Sequence, residues 1–331
     1  MCARDKYNPV VQILPATERR KETFFRIAGD GFLEVGYGRE SAISLEELLV
    51  TTFRTMSVNS AVRSMGIRGL IETVPATKTI LYAFDPTRIS VKKLIENIII
   101  AENGVQDTLG IEITARVVRL PLVFDDSETR KAIGRYLKNI NPSAPNCEES
   151  SNLKYIAMYN GITVEEFKQK FLQTKWLVAM VGFFPGLPFT IPLDPCCAVT
   201  APKYNPARTW TGEGTVDLAD FTATIFPVPS GGGYQLIGRT APIFQTSGKH
   251  PQFKENPILF KPTDMIQYYE VSEEELLRIY DLVHGKGEWR YDITEERFSL
   301  KEWLESCEQA RDEVEKFRKQ QEKGKQSVIL P

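Results

Sequence analysis

The sequence predicts an α+β chain: a small α+β domain, then a β-barrel, then a C-terminal helix. Three observations predict this. Strand-like and helical patterns alternate from residue 23 to 114; helices thin out from about 117 to 271 while Gly, Pro and β-branched residues rise; and amphipathic helical stretches follow 272. The implied parts are an N-terminal extension (1–22), an α+β domain (23–115), a barrel (116–280) and a helical segment with its tail (281–331).

The first domain reads FFRIAGDGFLEVGYG, SLEELLVTTFRTMSVNSAVRSM, GLIETVPATKTILYAF, SVKKLIENIIIAE and GIEITARVVRLPLVF, a β-α-β-α-β order. Ser44 and Glu47 form a capping box, which satisfies two orphan amide donors and marks a helix start. Gly29, Gly31, Gly36 and Gly38 punctuate the opening hairpin as turn positions. Helices on one face of such a sheet give a ferredoxin-like arrangement, whose edge strand leads into the barrel.

Two short helices interrupt the barrel. SETRKAIGRYLKNI is entered from Asp125 or Asp126, and the other opens at Thr163 with Glu166 as its box partner. WLVAMVGF, GTVDLADFTATIFPV, YQLIGRTAPI and DMIQYYEV supply strands. A helix then opens at Ser272 with Glu275, and a long final one runs from Ser299 with Glu302 to about Glu322. Leu300, Trp303, Leu304, Cys307, Val314 and Phe317 recur every three or four residues, one stripe that docks on its own domain or meets a partner. The ending EKGKQSVILP has no cap and reads as loose.

At 331 residues and 42% hydrophobic content the chain can bury substantial cores. A net charge of -2, with both signs spread along the chain, leaves no electrostatic footprint for nucleic acid or anionic membrane. Residues 1–15 carry Arg4, Asp5 and Lys6 and no long apolar run, so they read as neither a secretion signal nor a membrane span, and a cytoplasmic location is expected. Cys2, Cys147, Cys196, Cys197 and Cys307 contain no CxxC pair and read as free thiols. The two histidines, His250 and His284, lie in no HExxH or nucleophile-elbow context, which argues against zinc hydrolase and triad chemistry. No P-loop or GxGxxG fingerprint occurs.

Three blocks carry the most information: VGFFPGLPFTIPLDP (181–195), APKYNPARTWTGEGTV (201–216) and PSGGGYQLIGRTAPIF (229–244). In order and content they resemble the carboxyltransferase C and D subdomains of urea carboxylase and urea amidolyase, a group that also takes in allophanate hydrolase subunit 1 and Kip-type inhibitors. The likeness covers about residues 23–320 and includes LPLVFDDSETRKAIGRYL and the YDIT and FSLKEW segments. It implies a ferredoxin-like domain followed by a cyclophilin-like barrel. It also implies partners: a carboxyltransferase A/B subunit, a biotin carboxyl carrier protein that brings carboxybiotin, and a small amide as acceptor. The chain has no Met-Lys-Met attachment motif, so no covalently bound cofactor is expected.

Moving a carboxyl group to an amide nitrogen calls for an anion site, hydrogen bonds that orient the acceptor, and a proton acceptor. Lys203 and Arg208 flank Asn205 in a Pro-bounded loop, so an ammonium, a guanidinium and an amide can face one pocket; the plainer alternative is ion pairing with local carboxylates such as Glu213. Of Asp125 and Asp126, one caps the following helix and the other can accept N–H donors from an amide. Asp126, Lys203, Asn205 and Arg208 are thus the expected catalytic set. The resemblance adds Asp125, Tyr204, Thr209, Glu213, Gly232, Gly233, Tyr234, Gln235 and Arg239 as substrate contacts. Gly231 to Gly233 bring backbone amides near a ligand or make a tight turn, and Pro185, Gly186 and Pro188 form a rigid loop beside the same pocket.

One stretch departs from the family pattern. Where the family tends to a Gly-Ile-Gly-Gly-like run after EGTV, this chain has Asp217, Leu218, Ala219 and Asp220, two glycines replaced by carboxylates that would repel a carboxylate ligand. FPVPSGGGYQ also differs from the family's Tyr-Gly turn and PGGYQ. A carboxyltransferase component therefore stands beside two other readings: a binding protein of the Kip-type kinase-inhibitor class, and a protein like the B component of 5-oxoprolinase.

Overall fold

The computed structural model describes residues 9–18, 20–39, 44–105, 107–286 and 288–331. Cys2, with the rest of 1–8, lies outside them. The chain divides into two compact units, one of residues up to Ile113 with Phe298–Glu305, the other of Thr114–Arg297 with Ser306–Pro331. Segment 281–331, read from the sequence as a part of its own, is shared between them.

In the first unit β1 (Val10–Leu14), β2 (Thr23–Ile27), β3 (Phe32–Tyr37), β4 (Leu70–Pro75) and β5 (Thr79–Phe84) form an antiparallel sheet in the order β1-β2-β3-β5-β4. Alternation sends Leu33, Val35 and Tyr37, and Ile80, Tyr82 and Phe84, to one face. There they meet Val58 and Val62 of α1 (Leu45–Ser64) and Leu94, Ile95 and Ile98 of α2 (Val91–Gly104). The Ser44–Glu47 capping box is present. Gly29 and Gly38 adopt positive φ, but Gly36 lies inside β3, where a Cβ would sit 2.4 Å from the Phe24 ring; a close approach, not a turn, requires it.

The strand after α2 departs from the sequence reading. β6 (Glu112–Phe124) does not close the first sheet; it pairs in the barrel. The barrel runs β13-β10-β11-β8-β7-β14-β6, built from β7 (Trp176–Val181), β8 (Pro188–Pro192), β10 (Thr215–Ala219), β11 (Thr222–Ile225), β13 (Gln235–Thr240) and β14 (Met265–Glu270). It closes through β6 and β13, with Gly238 opposite Phe124. β9 (Arg208–Thr211) and β12 (Ser230–Gly232) form a separate ribbon, and β15 (Asp292–Ser299) flanks β6. GTVDLADFTATIFPV supplies the hairpin β10–β11: Asp220 turns the chain at φ 51°, a conformation Asp tolerates better than most residues.

Val118, Leu120, Leu122, Trp176, Val178, Val216, Leu218, Ile237 and Ile266 fill the barrel core. At the closing seam a Cβ on Gly238 would lie 2.0 Å from the Val123 carbonyl oxygen. Gly238→Ala must therefore push two paired strands apart. We expect a loss of about 1–3 kcal/mol, as for other overpacked sites, seen as a lower urea midpoint at unchanged slope.

Around the barrel lie α3 (Ser127–Asn139), α4 (Leu153–Asn160), α5 (Val164–Gln173, with the Thr163–Glu166 box) and α6 (Glu273–Asp281, capped by Ser272). The long final helix is two helices, α7 (Leu300–Gln309) and α8 (Arg311–Gln326), parted at Ala310. Of its apolar stripe, Phe317 of α8 joins the barrel core; just before α7, Phe298 of β15 stacks on Phe53 at 5.5 Å. The tail is not loose, for α8 continues to Gln326 and the Tyr155 hydroxyl donates to the Ile329 carbonyl at 3.0 Å. Among the described residues no helix is long and apolar enough to cross a membrane, and no group of three or more His, Cys, Asp or Glu could hold a metal ion.

Candidate functional site

Strand alternation builds the floor of a cleft. On β10, Val216 and Leu218 enter the core, so Asp217 faces the other way. Register aligns Asp217 with Thr224 on β11, and Thr224 with Phe189 on β8, giving a row of three side chains across neighbouring strands. The β9–β12 ribbon and loop 202–207 rise beside this row. Gly232 pairs with Arg208, the Tyr204 amide donates to the Gly233 carbonyl at 2.6 Å, and the Gln235 side chain donates to the Pro202 carbonyl at 2.8 Å. The Asn205–Pro206 peptide bond is cis, and the Tyr136 hydroxyl donates to the Pro206 carbonyl at 2.9 Å.

The cleft encloses about 420 Å³. Phe183, Leu187, Phe189 and Phe226 give it apolar walls; Lys203 and Tyr234 stand at its side, and Gly232, Gly233, Asp217 and Thr224 complete it. The loop of Pro185, Gly186 and Pro188 thus borders it as expected, through Phe183 and Leu187. Lys203 is exposed, with Nζ 5.3 Å from the centre of the Tyr234 ring.

Arg208 is 2% exposed and lies behind Gly232, where a Cβ would be 3.5 Å from Nη2. Its guanidinium stacks over Tyr204 at 4.5 Å, Nε donates to Thr211 Oγ1 at 3.3 Å, and Nη1 donates to the Tyr234 carbonyl. Nη2 is 3.8 Å from Asp217 Oδ2, too far for a hydrogen bond, and has no hydrogen-bond partner. Asp217 Oδ1 accepts from the Thr224 hydroxyl. Burial pushes the Asp217 carboxyl up to about 7, against the opposing pull of Arg208 and Thr224. Burial, with Asp217 and Asp220, pushes the Tyr234 hydroxyl up to about 12, so Tyr234 is neutral at pH 7.

Lys203, Tyr204, Gly232, Gly233 and Tyr234 therefore share one cleft with Arg208 behind it, and the other expected residues lie elsewhere. Asn205 is exposed and does not line it. Thr209 borders a neighbouring groove with Tyr136 and Trp210. The Tyr204 hydroxyl donates to Asn152 Oδ1 at 2.7 Å. The Gln235 side chain is consumed by Pro202 and by Asn146, which donates to it at 2.8 Å. Glu213 faces His284 at 3.3 Å, not Lys203 or Arg208.

Asp126 is the aspartate that caps α3, accepting from the Glu128 and Thr129 amides at 3.2 and 3.3 Å. It also pairs with buried Arg239 at 3.0 Å, so both are held within the barrel unit and not in the cleft. Asp125 adopts φ 54° and is held by Arg130 at 2.6 Å; burial raises its carboxyl.

Sequence reasoning noticed Asp217 only as a departure and passed over Thr224, Phe189 and Phe226. The missed signal was alternation: in TVDLA the residue between two core positions must face the opposite side. His250 is occupied by the Gln252 amide and the Trp289 carbonyl, and Cys196 and Cys197 are raised to about 11 and about 12 by burial and Asp194. None is an activated nucleophile.

Residues 24–254 match the family described as carboxyltransferase domain, subdomain C and D. The urea amidolyase of Lachancea kluyveri is 30% identical over 315 residues, covering 94% of this chain and 17% of that protein. The crystal structure of the K. lactis urea amidolyase superposes with a TM-score of 0.86 at 29% identity, over 98% of this chain and 20% of that one. A more distant relative, the B component of 5-oxoprolinase from Bacillus subtilis, is 24% identical over 220 residues, covering 62% of this chain and 78% of that protein. The chain thus spans about a sixth of the first relative's length.

Proposed function

The chain belongs to the carboxyltransferase family of subdomains C and D, and from this premise we propose that it is the C/D component of a biotin-dependent carboxyltransferase that carboxylates urea or a related amide. The observation that carries the reading is that Lys203 stands at the side of an apolar-walled cleft, with Arg208 buried behind its Gly232 wall. The ammonium at the rim attracts and orients a carboxyl group. Gly232 and Gly233 leave the approach clear.

On this reading the cleft would receive carboxybiotin, which a separate carrier domain would bring and which supplies the carboxyl group. Lys203 would hold that group, and the apolar walls would exclude water from it. A/B subdomains, made as another chain, would complete the site. The 5-oxoprolinase relative is by name one subunit of its enzyme, which supports a C/D part working with a separately made partner.

The test combines this chain with a carboxyltransferase A/B partner and a carboxylated carrier domain, then follows amide-dependent loss of the carboxyl group. Transfer that needs both chains is the expected result. Transfer undiminished without this chain contradicts the proposal, as would a chain that binds no A/B partner.

A further inference from the structure

The geometry points to Phe183 as a specificity-determining residue: it lays its ring against the apolar, ring-sized body of a ligand whose carboxylate Lys203 attracts. This deepens the proposed function, on which it rests for taking the anion to be a carboxyl group, by assigning what recognises the rest of that ligand.

The loop that carries Phe183 joins β7 to β8 and is closed at its base by the Gly182 amide, which donates to the Leu187 carbonyl at 3.0 Å. Its second half is a β-turn with Pro185 and Gly186 at the centre: the Leu187 amide donates to the Phe184 carbonyl at 3.1 Å, and Gly186 takes φ 83°. Its first half is a γ-turn, in which the Phe184 amide donates to the Gly182 carbonyl at 2.9 Å across Phe183, itself at φ 68°. A bulky side chain enters positive φ at a cost, and glycine enters it freely. Glycine stands next door at 182, yet the strained position holds phenylalanine.

The ring gains little within the chain in return. Phe183 is 76% exposed and meets the Phe184 ring edge to face at 4.7 Å. A strained backbone and a phenyl left in water, both at one residue, mark a side chain kept for something it binds. Its place in the fold says what that is. Phe183 lines the cleft with Leu187, Phe189 and Phe226, and Lys203 lines the same cleft, exposed and in no ion pair among the described residues. The ammonium attracts an anion, while the phenyl rings take an apolar or aromatic body by face or edge. A cavity of about 420 Å³ has room for such a body. A ligand that joins a carboxylate to a ring satisfies both features; a bare carboxylate or an uncharged ring satisfies one.

The experiment is an NMR titration of the chain alone with benzoate, acetate and benzyl alcohol. It is run at pH 6, below the value of about 7 to which burial pushes Asp217, so that this carboxyl on the cleft floor is mostly neutral. Benzoate should bind about tenfold more tightly than either of the others. Phe183→Gly keeps the γ-turn and relieves it, so its melting temperature should be no lower than that of the wild type, while benzoate should weaken about fivefold and acetate stay unchanged. Phe183→Tyr, which keeps the ring, should bind benzoate as the wild type does. Lys203→Ala should weaken benzoate and acetate and leave benzyl alcohol unchanged.

Benzoate bound by Phe183→Gly as tightly as by the wild type, or not bound by the wild type at all, overturns the inference. A markedly lower melting temperature in Phe183→Gly overturns it too, by showing that the ring serves the chain's own packing. Loss of A/B partner binding in Phe183→Gly at unchanged benzoate affinity would assign the ring to a protein surface instead. The titration needs no partner, which keeps the two readings apart. Benzoate binding indifferent to Phe183, beside a complex that transfers carboxyl groups, removes this inference alone; Phe183-dependent binding beside a complex that transfers none removes the carboxyltransferase reading alone.

Discussion

Asp126→Ala is expected to cost about 3–5 kcal/mol, because it leaves the Arg239 guanidinium buried without its carboxylate. Loss of the α3 cap, worth about 1 kcal/mol by itself, acts in the same direction. Against a typical domain stability of about 5–15 kcal/mol this is a large fraction. The melting temperature should fall sharply, and the protein that remains folded should transfer carboxyl groups at the ordinary rate. Asp126→Ala combined with Arg239→Met should be less damaged than the two single losses summed, since the second change removes the charge the first strands. Additive losses would mean that the pair does not interact.

Arg208→Met should be the second most damaging substitution, and its cost should depend on pH. Asp217 is buried, and its carboxyl, already raised to about 7 beside Arg208, would titrate higher still without the guanidinium. A carboxyl whose pKa is higher in the folded than in the unfolded chain weakens folding as pH rises from its unfolded value to its folded one. In Arg208→Met that weakening continues above pH 7, where in the wild type it has ended. The loss in the variant is therefore expected to be about 1.4 kcal/mol greater at pH 8, one unit above the wild-type value of about 7, than at pH 5.5, where Asp217 is neutral with or without Arg208. Denaturant midpoints at the two pH values measure this, and an equal loss at both would show that Asp217 does not sense Arg208.

What the sequence revealed follows from the range of the interactions. Capping boxes at Ser44 and Thr163 and the α3 start at Asp126 are set by residues three apart, and were legible. That the Lys203–Arg208 segment borders a cleft, through Lys203, Tyr204 and Ala207, was legible because its prolines and cations sit together in the chain. The Asp126–Arg239 pair was not, for it joins residues more than a hundred positions apart through the β6–β13 closure. Asn205 was assigned with its neighbours because adjacency in a loop says nothing of side-chain direction. β6 was assigned to the wrong sheet because alternation shows that a strand has a buried face without showing which partner covers it.

The most direct measurement is the carboxyl-transfer rate of Lys203→Ala in the reconstituted complex, set beside its melting curve. Lys203 is exposed and makes no ion pair among the described residues, so stability should change by no more than about 0.5 kcal/mol. If the cleft holds the carboxyl group as proposed, removal of its positive charge should slow transfer by about a hundredfold. A Lys203→Ala complex that turns over at the wild-type rate would contradict the placement of the reaction in this cleft.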